Sequence, residues 1–106
     1  MIKKIKIIPT IFAKSKREFD EKFNKLIGIS KEIQIDFMDG HFVHNSGIKL
    51  SEIPNLKHFN NIFEAHLMVL NPEKWIKRLK NKGFKKVIFH YEVLRDDKKI
   101  IYLINE

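Results

Sequence analysis

Ile33-Gln34-Ile35-Asp36-Phe37-Met38-Asp39-Gly40-His41-Phe42-Val43 is the stretch on which the interpretation of the whole chain depends. Apolar and polar side chains alternate along its first half, as in a β-strand, and a glycine-containing loop follows. The alternation places Ile33, Ile35 and Phe37 on one face of the strand and Gln34, Asp36 and Met38 on the other. A carboxylate inside an apolar strand is unfavourable unless it is paired or used, so Asp36 is a candidate functional residue.

Asp39 ends this strand, at the position where parallel α/β folds place their chemistry. Asp-Gly is also an ordinary turn sequence, because aspartate bonds to nearby backbone amides and glycine tolerates unusual dihedral angles. We expect Asp39 to shape the loop and Asp36 to be the functional acid.

Length and composition describe one small domain without disulfides. The chain has 106 residues, 43% of them hydrophobic, and no cysteine, which excludes a cysteine nucleophile or a thiolate metal site. Its formal net charge of +8 raises the alternative of a basic nucleic-acid-binding module. The lysines are spread over every segment and no concentrated basic helix is present, so nucleic-acid binding is not favoured.

The N-terminal sequence Met-Ile-Lys-Lys-Ile-Lys intersperses charge with apolar residues, and no long apolar run follows. This pattern predicts neither a signal peptide nor a membrane span, and we expect a cytoplasmic protein.

Four strand-and-helix units are predicted along the chain. The strands are expected at residues 3–10, 32–38, 62–69 and 86–92. Helices are expected from Ser15, within residues 48–59 as a short segment interrupted by Pro54, from Asn71-Pro72, and from Asp96 or Asp97. Alternation of this kind predicts a parallel sheet with helical crossovers.

Polar pairs recur on one face of three successive strands: Gln34 with Asp36, Glu64 with His66, and His90 with Glu92. An open doubly wound sheet would bury apolar residues on both faces, whereas a barrel gathers polar residues at a central site. Since a (βα)8 TIM barrel needs about 250 residues, we predict one α/β domain over residues 1–106 that forms a parallel (βα)4 half of a TIM barrel. No C-cap signal precedes Glu106, so we expect a chain truncated at the C-terminus.

Several segments resemble the N-terminal half of the ribulose-phosphate 3-epimerase family, in order and with matching spacing. They are Pro9-Thr10-Ile11-Phe12, Ile35-Asp36-Phe37-Met38-Asp39-Gly40-His41-Phe42-Val43-His44-Asn45, His66-Leu67-Met68, Asn71-Pro72-Glu73 and Val87-Ile88-Phe89-His90-Tyr91-Glu92. The resemblance implies a metal-dependent barrel of the ribulose-phosphate-binding type that interconverts D-ribulose 5-phosphate and D-xylulose 5-phosphate through an enediolate.

The resemblance also implies roles for individual residues. Asp36 matches a metal ligand that doubles as the catalytic acid/base, and His66 matches a metal ligand on the third strand. Met38 and Met68 match methionines that line the substrate site, and Thr10 stands where the family has a substrate-contacting serine. The implied cofactor is a divalent cation, Zn, Fe, Mn or Co, and the implied ligand is a pentulose phosphate.

Departures from the family pattern concern the metal site. Gln34 occupies the position of a second-strand histidine ligand, and a carboxamide oxygen suits a hard cation better than zinc. His44 replaces a loop proline. The second acid/base aspartate and the phosphate site belong to the later half of the family's barrel, outside this sequence.

Alternatives remain open for several residues and for the function. Asp36 is alternatively a structural acid paired with Lys6 or with a loop amide. His90 and Glu92 either support the metal ligands or face solvent, and the pattern favours solvent. The chain is alternatively an inactive half-barrel whose open edges and polar face are closed by a second copy, as a homodimer, or by a missing C-terminal half.

Overall fold

The computed structural model describes residues 5–90 and 92, which form one four-stranded parallel sheet with helices. The strands are β1 (Thr10–Ile11), β2 (Glu32–Met38), β3 (Ile62–Met68) and β4 (Lys86–Phe89), in that spatial order. The α-helices are α1 (Lys16–Leu26) and α2 (Ile76–Lys82), and short 3-10 turns cover Leu50–Glu52, Leu56–His58 and Pro72–Lys74. This confirms the α/β class, and the arrangement is consistent with part of a TIM barrel. The helix predicted from Asp96 or Asp97 lies outside the described residues.

One face of the sheet forms the hydrophobic core beneath the helices. The predicted alternation is confirmed in β2 and β3, where the residues of the apolar face are all buried: Ile33, Ile35, Phe37, Phe63, Ala65 and Leu67. The helices contribute Phe19, Phe23 and Leu79 to the same core. The opposite face carries the polar residues, which are therefore held in place by a rigid, well-packed layer behind them.

Helix α1 begins where the sequence predicts. The Oγ atom of Ser15, the N-cap, accepts the backbone N–H of Glu18 at 3.2 Å. The Glu18 carboxylate accepts the N–H of Lys14 at 3.0 Å, so it caps the residue before the N-cap.

The first strand differs from its prediction. Residues 5–9 are in no strand, and β1 begins only at Thr10, where the predicted strand was expected to end. Ile5 and Ile7 are 86% and 82% exposed, so they gain no core contacts that would hold the chain in the sheet. Pro9 has no N–H to donate, but its carbonyl accepts the N–H of Gln34 at 2.9 Å and connects the segment to β2.

The short helix predicted within residues 48–59 is instead a pair of 3-10 turns, which are separated at Pro54, where the interruption was expected. Ile53, immediately before Pro54, is extended with φ −98° and ψ 153°. Steric conflict with the proline ring disfavours the helical conformation at that position.

The second α-helix begins later than the sequence predicts. Asn71 makes no side-chain capping hydrogen bond, and Pro72 opens a 3-10 turn before α2 begins at Ile76.

Helix α2 ends at Gly83, which has φ +113°, the left-handed conformation that glycine commonly adopts at helix C-termini. A Cβ atom at this position would lie 2.8 Å from the backbone nitrogen of Lys57, so the close approach also requires glycine. β4 then ends at Phe89, three residues earlier than predicted, and His90 and Glu92 lie beyond its last paired residue.

Candidate functional site

The polar face of the sheet is arranged by the register of its strands. β2 and β3 pair Gln34 with Glu64, Asp36 with His66, and Met38 with Met68. β1 adds Thr10 opposite Gln34. In a parallel sheet, paired residues point to the same side, so all the candidate site residues predicted from the sequence share one face.

Asp36 and His66 form the centre of this face. The Oδ1 atom of Asp36 lies 3.2 Å from Nδ1 of His66, and the Gln34 amide nitrogen donates to the same Oδ1 at 3.3 Å. The side chains of Asp36 and His66 are 15% and 25% exposed, which leaves them accessible from the open side of the sheet. Partial burial without full enclosure suits groups that meet a ligand.

The alternative in which Asp36 pairs with Lys6 is wrong, because Lys6 pairs with Glu32. Its Nζ lies 2.6 Å from the Glu32 carboxylate, which also contacts Lys86 at 3.2 Å. The hydrogen bond from Lys6 lowers the pKa of Glu32, and Lys86 acts in the same direction against the effect of burial. Because Glu32 begins β2, this ion cluster lies at the end of the strand opposite the predicted chemistry.

His90 extends the Asp36–His66 pair to a row of four side chains. Its Nε2 lies 3.3 Å from Nε2 of His66, and its Nδ1 lies 3.6 Å from Oε1 of Glu92. The ring of Phe42 packs against His90 with 5.0 Å between ring centroids. The sequence pattern favoured solvent for both residues; Glu92 is exposed as predicted, at 67%, but the contact of His90 with His66 was missed. The signal was present in the pairing of polar positions on successive strands.

Asp39 organises the loop after β2, which confirms the turn interpretation. Its Oδ1 accepts the N–H groups of His41 and Phe42 at 2.8 and 2.9 Å, and its Oδ2 accepts the N–H of Leu70 at 2.9 Å. Burial acts to raise the pKa of Asp39, but the backbone donors at Leu70, Phe42 and His41 outweigh it and hold the pKa below its ordinary value. The carboxylate thereby joins the loops that follow β2 and β3.

Metal-binding geometry is present only in part. Within residues 5–90 and 92, no group of three or more His, Cys, Asp or Glu side chains is placed to hold a metal ion. Two ligands that share one cation at ordinary bond lengths lie about 2.9–3.4 Å apart, and the 3.2 Å separation of Asp36 Oδ1 and His66 Nδ1 falls in that range. Gln34 would add its amide oxygen only if the amide were turned, because its nitrogen now faces Asp36. The described side chains thus fit one part of a cation's ligand set.

Comparisons with known proteins agree with this arrangement. The model of the ribulose-phosphate 3 epimerase family matches residues 5–106. The cytoplasmic isoform of ribulose-phosphate 3-epimerase from Oryza sativa subsp. japonica is 32% identical over 87% of this chain and 41% of its own length. The ribulose-phosphate 3-epimerase of Candida glabrata is 29% identical over all of this chain and 50% of its own length. The chain therefore spans about half the length, or less, of these curated relatives.

In the described part of the chain, no helix is long and apolar enough to cross a membrane. The fold and the polar face of residues 5–90 agree with the family match. The protein belongs to the ribulose-phosphate 3-epimerase family.

Proposed function

We propose that this chain supplies one half of the active site of a pentulose-phosphate 3-epimerase, which interconverts D-ribulose 5-phosphate and D-xylulose 5-phosphate. The observation that carries the proposal is the Asp36–His66 pair, 3.2 Å apart on the open face of the sheet of a chain in this family. The names of the rice and Candida relatives supply the reaction, and the rice name supports a cytoplasmic location.

Asp36 acts as the acid/base on one face of the sugar. Its carboxylate takes the proton from the carbon beside the carbonyl, and the enediolate that results is reprotonated from the opposite face to invert the centre. Gln34 donates a hydrogen bond to Asp36 Oδ1 and so restricts the orientation of the carboxylate. The acid/base for the opposite face belongs to the other half of the site.

Asp36 and His66 would hold a divalent cation, with the Gln34 carbonyl as a third donor once the amide is turned. Such a cation, Zn²⁺, Fe²⁺, Mn²⁺ or Co²⁺, stabilises the negative charge that develops on the substrate oxygens. Thr10, Met38 and Met68 would contact the substrate, since they occupy the same face as Asp36 and are paired with its neighbours or with each other.

Exchange of the C3 proton of D-ribulose 5-phosphate with D2O tests the proposal in a way suited to half a site. Exchange needs only one base, whereas net epimerisation needs two. With added Co²⁺, Mn²⁺, Fe²⁺ or Zn²⁺, we expect exchange that Asp36→Asn slows by about 10²–10⁴-fold. Asp20→Asn is the control, because Asp20 is on the exposed side of α1, paired with Lys16. Equal exchange rates for Asp36→Asn and the unaltered chain would contradict the assignment of Asp36.

A second candidate function is that of a half-barrel closed by another copy of this chain. It is favoured by the edge positions of β1 and β4 in the described sheet and by Ile88, which is on β4 and 44% exposed. An exposed apolar residue on an edge strand invites pairing with another sheet. We propose a homodimer in which each copy covers the other's open face.

Sedimentation of the purified chain tests self-association. We expect a dimer that Ile88→Lys converts to a monomer. Ile29→Lys is the matched control, because Ile29 is 79% exposed and lies in the turn after α1, away from β4. A strict monomer at high concentration would argue that the complementary half-barrel is a different polypeptide segment.

A further inference from the structure

Both ring nitrogens of His66 have a polar neighbour. Nδ1 faces Asp36 Oδ1 at 3.2 Å, and Nε2 faces Nε2 of His90 at 3.3 Å. Two imidazole nitrogens at this distance form a stable contact only if one carries a proton and the other offers its lone pair. The protonation of His90 at Nε2 and that of His66 are therefore coupled.

The proposed cation decides which nitrogen of the pair is the donor. A cation bound by His66 Nδ1 uses the lone pair of that nitrogen, so the proton of neutral His66 is on Nε2. His90 must then accept this proton with the lone pair of its own Nε2, and the proton of neutral His90 is on Nδ1. That nitrogen faces Oε1 of Glu92 at 3.6 Å, which is too far for a direct hydrogen bond.

A lone pair and a carboxylate oxygen 3.2 Å apart repel each other unless something positive lies between them. The same separation suits two ligands of one divalent cation. Metal-binding histidines generally donate their second ring N–H to a fixed acceptor, which sets the tautomer and the ring orientation. His90 occupies the place of that acceptor.

The position of His90 is itself held by packing on two sides. Phe42 lies 5.0 Å from His90 and the His66 ring lies 5.4 Å from it, between ring centroids. The backbone N–H of Phe42 is bonded to Asp39, which also holds Leu70 in the loop after β3. The loop after β2 thus confines the His90 ring beside His66.

We propose that His90 is a positioning residue: it accepts the Nε2–H of His66 and so presents the Nδ1 lone pair of His66, beside Asp36, to a divalent cation. This inference rests on the proposed function, which assigns Asp36 and His66 to the cation. It adds a residue on the fourth strand unit that acts through His66 and does not touch the cation itself.

Two measurements on the full chain, at a fixed pH above the ordinary histidine pKa of about 6.5, test the proposal. Titration with Co²⁺ measures cation affinity, and ¹H–¹⁵N spectra of the Zn²⁺-loaded chain report the chemical shift of the His66 Nε2 proton, which lies further downfield when that proton is hydrogen-bonded. His90→Phe keeps a ring but removes the acceptor, and His90→Gln can place an amide oxygen near the original Nε2. His58→Phe, at an exposed position in a 3-10 turn, is the control.

We expect His90→Phe to weaken Co²⁺ binding by about 10–100-fold and to move the His66 Nε2 proton signal upfield in the Zn²⁺-loaded chain. His90→Gln should recover most of the affinity and the original chemical shift, and His58→Phe should change neither. If His90→Phe leaves both the affinity and the chemical shift unchanged in a chain that binds these cations, the role of His90 is overturned while the proposed function stands. If the unaltered chain binds neither Co²⁺ nor Zn²⁺, the proposed cation site is overturned, and the role of His90 with it.

Discussion

Asp36 and His66 are register partners on neighbouring parallel strands, and the Oδ1 atom of the first lies 3.2 Å from Nδ1 of the second. The pairing follows from the sheet, because each residue occupies the polar face of a strand whose other face is buried in the core. A slip of one residue in either strand would move its buried set to the open side, so the core fixes the geometry of the pair.

Gln34→His should raise the affinity of the chain for Co²⁺ by at least about tenfold. Gln34 is two residues before Asp36 on the same face, and its amide already reaches Asp36 Oδ1 at 3.3 Å. An imidazole there would add a nitrogen ligand, which binds transition metals better than a carboxamide does. The visible absorption of bound Co²⁺ during titration provides the measurement.

Gln34→Ala is the control for that substitution, because it removes the amide without adding a ligand. We expect it to bind Co²⁺ no better than the unaltered chain. Equal gains from histidine and alanine would mean that the amide merely obstructs the site, and the predicted third ligand position would be wrong.

The central strands could be predicted closely from the sequence because a buried parallel strand restricts its side chains strongly. β2 was expected at residues 32–38, which are the observed bounds, and β3 differs from its prediction by one residue. Contact between Asp36 and His66 follows from aligning these two strands. The assignment of the pair to a cation depended on the family resemblance, since a single histidine and a single aspartate on a strand are usually structural.

Other features depend on contacts that are distant in sequence and carry little local signal. β1 is short because Ile5 and Ile7 find no core, which their alternation alone could not indicate. The side chain of Asn61 donates to the carbonyls of Ile27 and Ser30, a link between loops more than thirty residues apart that no local pattern predicts. His90 reaches His66 after β4 has ended, so its role depends on the path of the chain beyond the last paired residue.

Asp39→Asn should lower the free energy of unfolding by about 1–3 kcal/mol. The carboxylate accepts hydrogen bonds from three backbone N–H groups. The side-chain NH2 group of asparagine cannot accept a hydrogen bond, so at least one of these N–H groups would lose its acceptor. Urea denaturation measures the change. Asp20→Asn, which removes only an exposed ion pair with Lys16, should stay within about 0.5 kcal/mol.

The stabilisation by Asp39 should also depend on pH. Because the folded pKa of Asp39 is lower than its ordinary value of about 3.9, the folded state favours the ionised carboxylate. Its contribution is therefore complete above the unfolded pKa and is lost as the pH falls through the lower folded pKa. The difference in unfolding free energy between the unaltered chain and Asp39→Asn should shrink on acidification below that value. A difference that grows in acid would reverse the sign and contradict the assigned hydrogen bonds.

Gly83→Ala should destabilise the fold by about 1–3 kcal/mol, because the residue has φ +113° and an added Cβ would lie 2.8 Å from the Lys57 backbone nitrogen. Rigid backbone cannot move aside as a flexible side chain would, so both strain and contact oppose the methyl group. Gly28→Ala is the matched control: a Cβ added there would have nothing within 4 Å, and the φ of Gly28 is outside the positive range. That substitution should change the stability by no more than about 0.5 kcal/mol. Equal shifts of Tm for the two variants would show that the backbone at Gly83 does not pack closely against the backbone of Lys57.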